Sequence, residues 1–102
     1  MNQKGKNHNV LTTGAHREEK DGKGRCDLLQ PKALLRIAKR LEVGAKKYGD
    51  KDWEKGIPCS MLIDSALRHL LQYMGKENNE DHLAGCVTNL LQLMEQEENE
   101  IT

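Results

Sequence analysis

The chain reads as an all-α protein: a small three-helix bundle with a loose N-terminal arm, completed by oligomerisation. Three observations predict this. Apolar residues recur at i, i+3 and i+4 in three separate runs. Gly and Pro punctuate the ends of those runs. No stretch alternates convincingly between apolar and polar residues, as a half-buried strand would.

The first helix should begin at Pro31, which suits a first helical turn. Leu34, Ile37, Ala38, Leu41, Ala45 and Tyr48 make its apolar stripe, and Gly49 stops it. Gly44 inside that run is costly unless something packs close. The second helix should follow Pro58, with Ser60 as its N-cap and Gly75 at its end. Its buried face is expected to be Leu62, Ala66, Leu67, Leu70, Leu71 and Met74. Asp64 and Arg68 form an i, i+4 pair on its flank, and His69 lies beside the stripe. The third helix is expected to start near Asn79, with Glu80 and Asp81 in its first turn. Its stripe is Leu83, Val87, Leu90, Leu91 and Met94. His82, Cys86, Asn89 and Leu93 share a second edge. This divides the chain into an arm over residues 1–24, one helical domain over 25–98 and a frayed tail over 99–102.

Composition narrows the class. A chain of 102 residues is one domain. It has no Phe and is 36% hydrophobic, so a second copy would help to bury its apolar faces, and a homo-oligomer is expected. With 16 basic and 16 acidic residues it carries no global positive field, which argues against duplex nucleic acid as a partner. Its three Cys include no CxxC, so neither a zinc knuckle nor a redox pair is suggested. No signal peptide or membrane span is evident, and unpaired Cys suit a reducing cytoplasm.

The stretch from Lys46 to Gly56 holds the single Trp, one of the two Tyr and four Lys. A ring beside Lys offers a stacking face next to positive charge, which suits a nucleotide. Equally, Tyr48 and Trp53 could fold back to plug the end of the core. Asp21-Gly22-Lys23-Gly24-Arg25 is Gly-rich and basic without Walker spacing. His69 and His82 approach from different helices, with Asn89 on the His82 edge. A hard divalent ion needs several converging oxygens. Glu42 and Asp64 each stand alone on their helices, and no two-helix carboxylate cage can be assembled.

Gly22-Lys23-Gly24-Arg25, Gly44-Ala45-Lys46-Lys47-Tyr48-Gly49, Trp53, Ala66-Leu67-Arg68-His69-Leu70, His82-Leu83-Ala84 and Asn89-Leu90-Leu91 resemble the N-terminal domain of the phage dATP/dGTP diphosphohydrolases. The resemblance covers residues 21 to 94. It implies purine nucleotides and a phage setting. In the enzymes a separate domain follows, which the resemblance marks as the seat of hydrolysis. The family usually places a second His three residues after the first; here that position is Gly85. The family's acid-rich loop after Gly-Glu is also replaced, since Lys76 follows Gly75.

Three functional readings stand open. In the first, the chain holds a purine nucleotide without turnover, cyclic and ADP-ribose-type signals included, and needs no cofactor. Such a protein could sequester a host defence signal in the infected cell's cytoplasm. Arg25, Lys46, Lys47 and Arg68 would meet phosphate, Tyr48 or Trp53 would stack on the base, and His69, His82 and Asn89 would line a polar pocket. In the second, a MazG-like hydrolase releases pyrophosphate from dGTP or dATP with Mg2+. Asp64, Glu77 and Asp81 would hold the ion, and Asp64, His69 and Asp81 would be catalytic. In the third, the bundle is an adaptor for another protein.

Overall fold

The computed structural model describes residues 8–10, 13–18 and 21–100. The chain is all-α, built on α1 (Pro31–Tyr48), α2 (Cys59–Met74) and α3 (His82–Glu98). Short 3-10 turns lie at Cys26–Leu28 and Asp52–Lys55. The stretch expected as a loose arm adds something the sequence did not announce. Strands β1 (His8–Val10) and β2 (His16–Glu18) pair antiparallel, with Asn9 opposite Arg17. Residues 1–7, 11–12 and 19–20 of the arm, and residues 101–102 of the expected frayed tail, lie outside the described residues.

The ends of α1 are those its sequence announces. Pro31 occupies the first turn, and Gly49, at φ 95°, donates its N–H to Ala45 O at 2.8 Å. The starts of the other two helices differ from expectation. Met61 and Leu62 both donate to Pro58 O, so α2 begins one residue before Ser60, without a side-chain cap. Asp81, not Asn79, caps α3 by accepting from Ala84 N at 3.1 Å. At the end of α2, Lys76 N donates to Tyr73 O and Glu77 N to Gln72 O, both at 3.0 Å. This is a Schellman close, and Lys76 holds its left-handed position at φ 63°, where Gly is usual.

Packing centres on α2 against α3, with α1 resting more lightly on α3. Among the described residues, Leu62, Ala66, Ala84 and Cys86 are the buried apolar ones, and α1 buries none of its own. The face of α3 that goes inside is the polar edge: His82, Gly85, Cys86 and Gln96. Of the apolar stripe expected to be buried, Leu83 and Val87 are half-buried, whereas Leu90, Leu91 and Met94 stay exposed. So do Leu67, Leu71 and Met74 on α2, and Leu34 and Leu41 on α1. Two helix interfaces can cover only part of three amphipathic surfaces.

Gln96 explains how a polar edge can be buried. Its amide accepts from Ile57 N at 2.9 Å and donates to Ile57 O at 2.7 Å. That satisfies both ends of the side chain and ties the approach to α2 onto the far end of α3. Among the described residues no helix is long and apolar enough to cross a membrane.

Candidate functional site

The functional groups converge where α2 hands over to α3. Residues 75–81 make this connection, and α1 passes alongside. Arg36 donates two hydrogen bonds to the Asp81 carboxylate, both at 2.7 Å. Arg40 pairs with Glu80 at 2.8 Å. These ion pairs fasten α1 to the α2–α3 connection. Asp81 is thereby held at a pKa of about 2, mainly by its hydrogen bond from Arg36, with help from the Ala84 N–H.

Beneath these pairs sits His82, 2% exposed. Its Nε2–H donates to Asn79 Oδ1 at 2.8 Å, which fixes the tautomer and leaves Nδ1 as an acceptor. Nδ1 faces His69 Nδ1 at 2.9 Å. The His69 ring can reach it because position 85 is Gly: a Cβ there would stand 3.2 Å from the ring atoms. Burial lowers the pKa of His69, so its imidazole is neutral at neutral pH. His69, Glu80 and His82 each offer one ligand atom, and those atoms lie within 4.8 Å of one another. Above them opens a groove of about 690 Å³, lined by Arg36, Tyr73, Lys76, Glu77, Asp81 and His82 among others.

The sequence-expected site residues divide between this groove and other places. His69, His82, Asp81 and Glu77 are here. Lys46, Lys47 and Tyr48 are at the opposite end of α1; at about 1.5 Å per residue, Tyr48 stands about 18 Å along the axis from Arg36. Lys46 is exposed and pairs with Glu42, and Lys47 lies 5.9 Å from the centre of the exposed Tyr48 ring. The Trp53 side chain lies outside the described residues. Arg25 donates to Asp27 in an exposed pair, and Arg68 does the same to Asp64. Asn89 turns back to its own helix, donating to Gly85 O at 2.8 Å. Asp64, Glu77 and Asp81 do not form a common ligand set: Asp64 is engaged with Arg68 and Asp81 with Arg36.

Arg36, Arg40, Tyr73, Lys76 and Glu80 were not singled out as site residues from sequence. The arginines sit on the polar face of α1, and Asp81 lies 45 residues after Arg36, so no local pattern joins them. Lys76 had a signal: a Lys directly after a helix-ending Gly occupies a position where Gly is the relaxed choice.

A family model for the N-terminal domain of dATP/dGTP diphosphohydrolase matches residues 13–102. The chain belongs to this family. Among curated proteins, a dATP/dGTP diphosphohydrolase of Salmonella phage PMBT28 is 33% identical over 64 residues, covering 63% of this chain. The chain spans 21% of that relative's length. No solved structure matches it. Two departures from the family pattern now have a physical meaning here. Gly85 leaves the space that the His69 ring occupies, and Lys76 puts a cation on the rim of the groove.

Proposed function

We propose that this member of the dATP/dGTP diphosphohydrolase N-terminal family binds a purine nucleoside triphosphate in the groove between α1 and the α2–α3 connection. The observation that carries this is the placement of Lys76. A non-Gly residue in the left-handed conformation is disfavoured by roughly 1 kcal/mol, yet it sets a cation at the groove beside Arg36 and the Tyr73 ring. Lys76 and the outer edge of Arg36 meet phosphate oxygens, and Tyr73 offers the base a flat face. The nucleotide leaves intact in this reading, since Asp64 and Asp81 are engaged by arginines and, among the described residues, no cluster of carboxylates converges at the groove. A holder of this kind acts by taking nucleotide out of solution.

Hydrolysis with release of pyrophosphate is a second reading, favoured by the activity for which the phage relative is named and by the close approach of His69, Glu80 and His82. In that case these three residues, rather than Asp64, Glu77 and Asp81, would meet the divalent ion. The exposed apolar rows on all three helices support assembly with a second copy, which light scattering would show as a mass above that of one chain.

A thermal-shift screen against dATP, dGTP and cyclic or ADP-ribose-type nucleotides, with and without Mg2+, tests the reading. Each stabilising nucleotide is then recovered and identified by chromatography. A purine triphosphate recovered unchanged supports a holder, and recovery as the monophosphate establishes the hydrolase. A screen with no stabilising nucleotide would remove both and leave the adaptor reading. Lys76→Gly separates binding from folding: it should raise stability by about 0.5–1 kcal/mol while weakening nucleotide binding.

A further inference from the structure

We propose that His69, Glu80 and His82 form a binding site for a zinc-class transition-metal ion, with an open coordination position facing the groove. It adds to the nucleotide reading a resident metal of different chemistry from Mg2+, and it stands on geometry that needs no nucleotide.

The donor set decides the class of ion. Two imidazoles and one carboxylate suit zinc, cobalt, nickel or manganese, whereas Mg2+ asks for oxygens. Zinc holds imidazole nitrogen at about 2.0–2.1 Å in a tetrahedral shell, so two such ligands stand about 3.3–3.4 Å apart. His69 Nδ1 and His82 Nδ1, at 2.9 Å, part by about 0.4 Å to admit the ion. In the metal-free protein one proton bridges these nitrogens. On binding, the ion takes the place of that proton, which His69 takes up again at Nε2 by way of solvent, so both imidazoles stay neutral.

The surrounding residues are arranged as supports. A ligating His normally donates its other ring N–H to a carbonyl or carboxylate, which orients it. His82 does so, through Nε2–H to Asn79 Oδ1 at 2.8 Å. Arg40 holds one oxygen of Glu80 at 2.8 Å, leaving the second oxygen to turn toward the imidazoles. Glu80 is exposed, so the remaining closure from within 4.8 Å to bonding distance is a side-chain rotation. Gly85 admits the His69 ring against α3. Glu80 and His82 both line the groove. Three protein ligands with one position open to a groove is the arrangement of reactive metal sites, whereas structural zinc sites are closed by four.

The test is equilibrium dialysis of the full chain against Zn2+ alone, followed by Co2+ substitution and visible spectroscopy. One equivalent per chain should bind, Mg2+ in large excess should not displace it, and Co2+ should give a four-coordinate spectrum without a thiolate charge-transfer band. Glu80→Gln leaves the histidine pair in place, and it should weaken binding at least tenfold. Asn79→Ala should weaken it about 10–100-fold through loss of the orienting bond. A His8→Ala, His16→Ala double variant should bind as the wild type does. Zn2+ binding unchanged in both Glu80→Gln and Asn79→Ala would overturn the site, as would displacement by Mg2+ or a thiolate band. Metal binding without any nucleotide shift would leave the site standing and remove the nucleotide reading.

Discussion

Two connections join the helices, and they differ in what surrounds them. Residues 49–58 follow the Lys-rich end of α1, and residues 75–81 follow α2. Each contains a lysine in the left-handed conformation, Lys51 at φ 58° and Lys76 at φ 63°. The first, taken with the adjoining Lys46, Lys47 and Tyr48, is the richer in composition, with aromatic residues and lysines side by side. Yet Tyr48 is 68% exposed, and the nearby cations pair locally, Lys46 with Glu42 and Lys55 with Asp52. The second connection looks plainer in sequence. It receives two arginines from α1, caps α3 through Asp81 and lies over a histidine pair of which His82 is buried and His69 half-buried. Suggestive residue types near one another in sequence are therefore a weaker sign of a site than groups that converge from separate elements and are partly buried.

Substitutions break this comparison most sharply at His82. His82→Ala removes a buried ring and both of its hydrogen bonds, and should cost about 3 kcal/mol. Tyr48→Ala, on the exposed side, should cost under about 0.5 kcal/mol. Urea denaturation of the two variants measures the contrast; similar costs would erase it.

A smaller effect is expected at the ion pairs. Asp81→Ala loses the cap of α3 and the two-bond contact with Arg36, for a loss of about 1–2 kcal/mol. Asp64→Ala loses a pair exposed on the surface of α2, worth less than about 0.5 kcal/mol. Equal costs at the two positions would show that the connection is no better anchored than a helix surface.

Acid sharpens the comparison further, with effects of about 1 kcal/mol or less per group once solvent screening is allowed for. His69 has its pKa lowered by burial, so the unfolded chain takes up its proton first as pH falls. Its contribution is full above about pH 6.5 and declines below that. Asp81, held at about 2, stabilises above the ordinary carboxylate value and loses that contribution between about pH 4 and 2. Both steps lower stability in acid. His69→Gln should abolish the first and Asp81→Asn the second in a pH series of urea midpoints.

Much of the fold was legible in the sequence because helix signals are local. Pro31 and Gly49 bound α1 by their own backbone preferences. The start of α3 was set three residues too early, because Glu80 and Asp81 suit a first turn by charge. In the structure they stand before α3, where Arg40 and Arg36 meet them. The interior of α3 was harder to read. Apolar periodicity selects Leu90, Leu91 and Met94, whereas the fold buries the edge of His82, Cys86 and Gln96. That edge was visible as a row through His82, Cys86, Asn89 and Leu93, which Gln96 continues. What hid it was the expectation that polar residues stay out, and Gln96 escapes that rule by bonding both backbone groups of Ile57. Of the site, the two histidines were legible as a pair. The arginines were not, because their partners arrive from a distant part of the chain.

The most direct test of the central claim is a 1H–15N chemical-shift map of the full chain titrated with dGTP and Mg2+. The groove predicts perturbations concentrated at Arg36, Tyr73, Lys76, Glu77 and His82, with residues 46–56 little changed. Perturbations confined to residues 46–56, or none at saturating nucleotide, would contradict it.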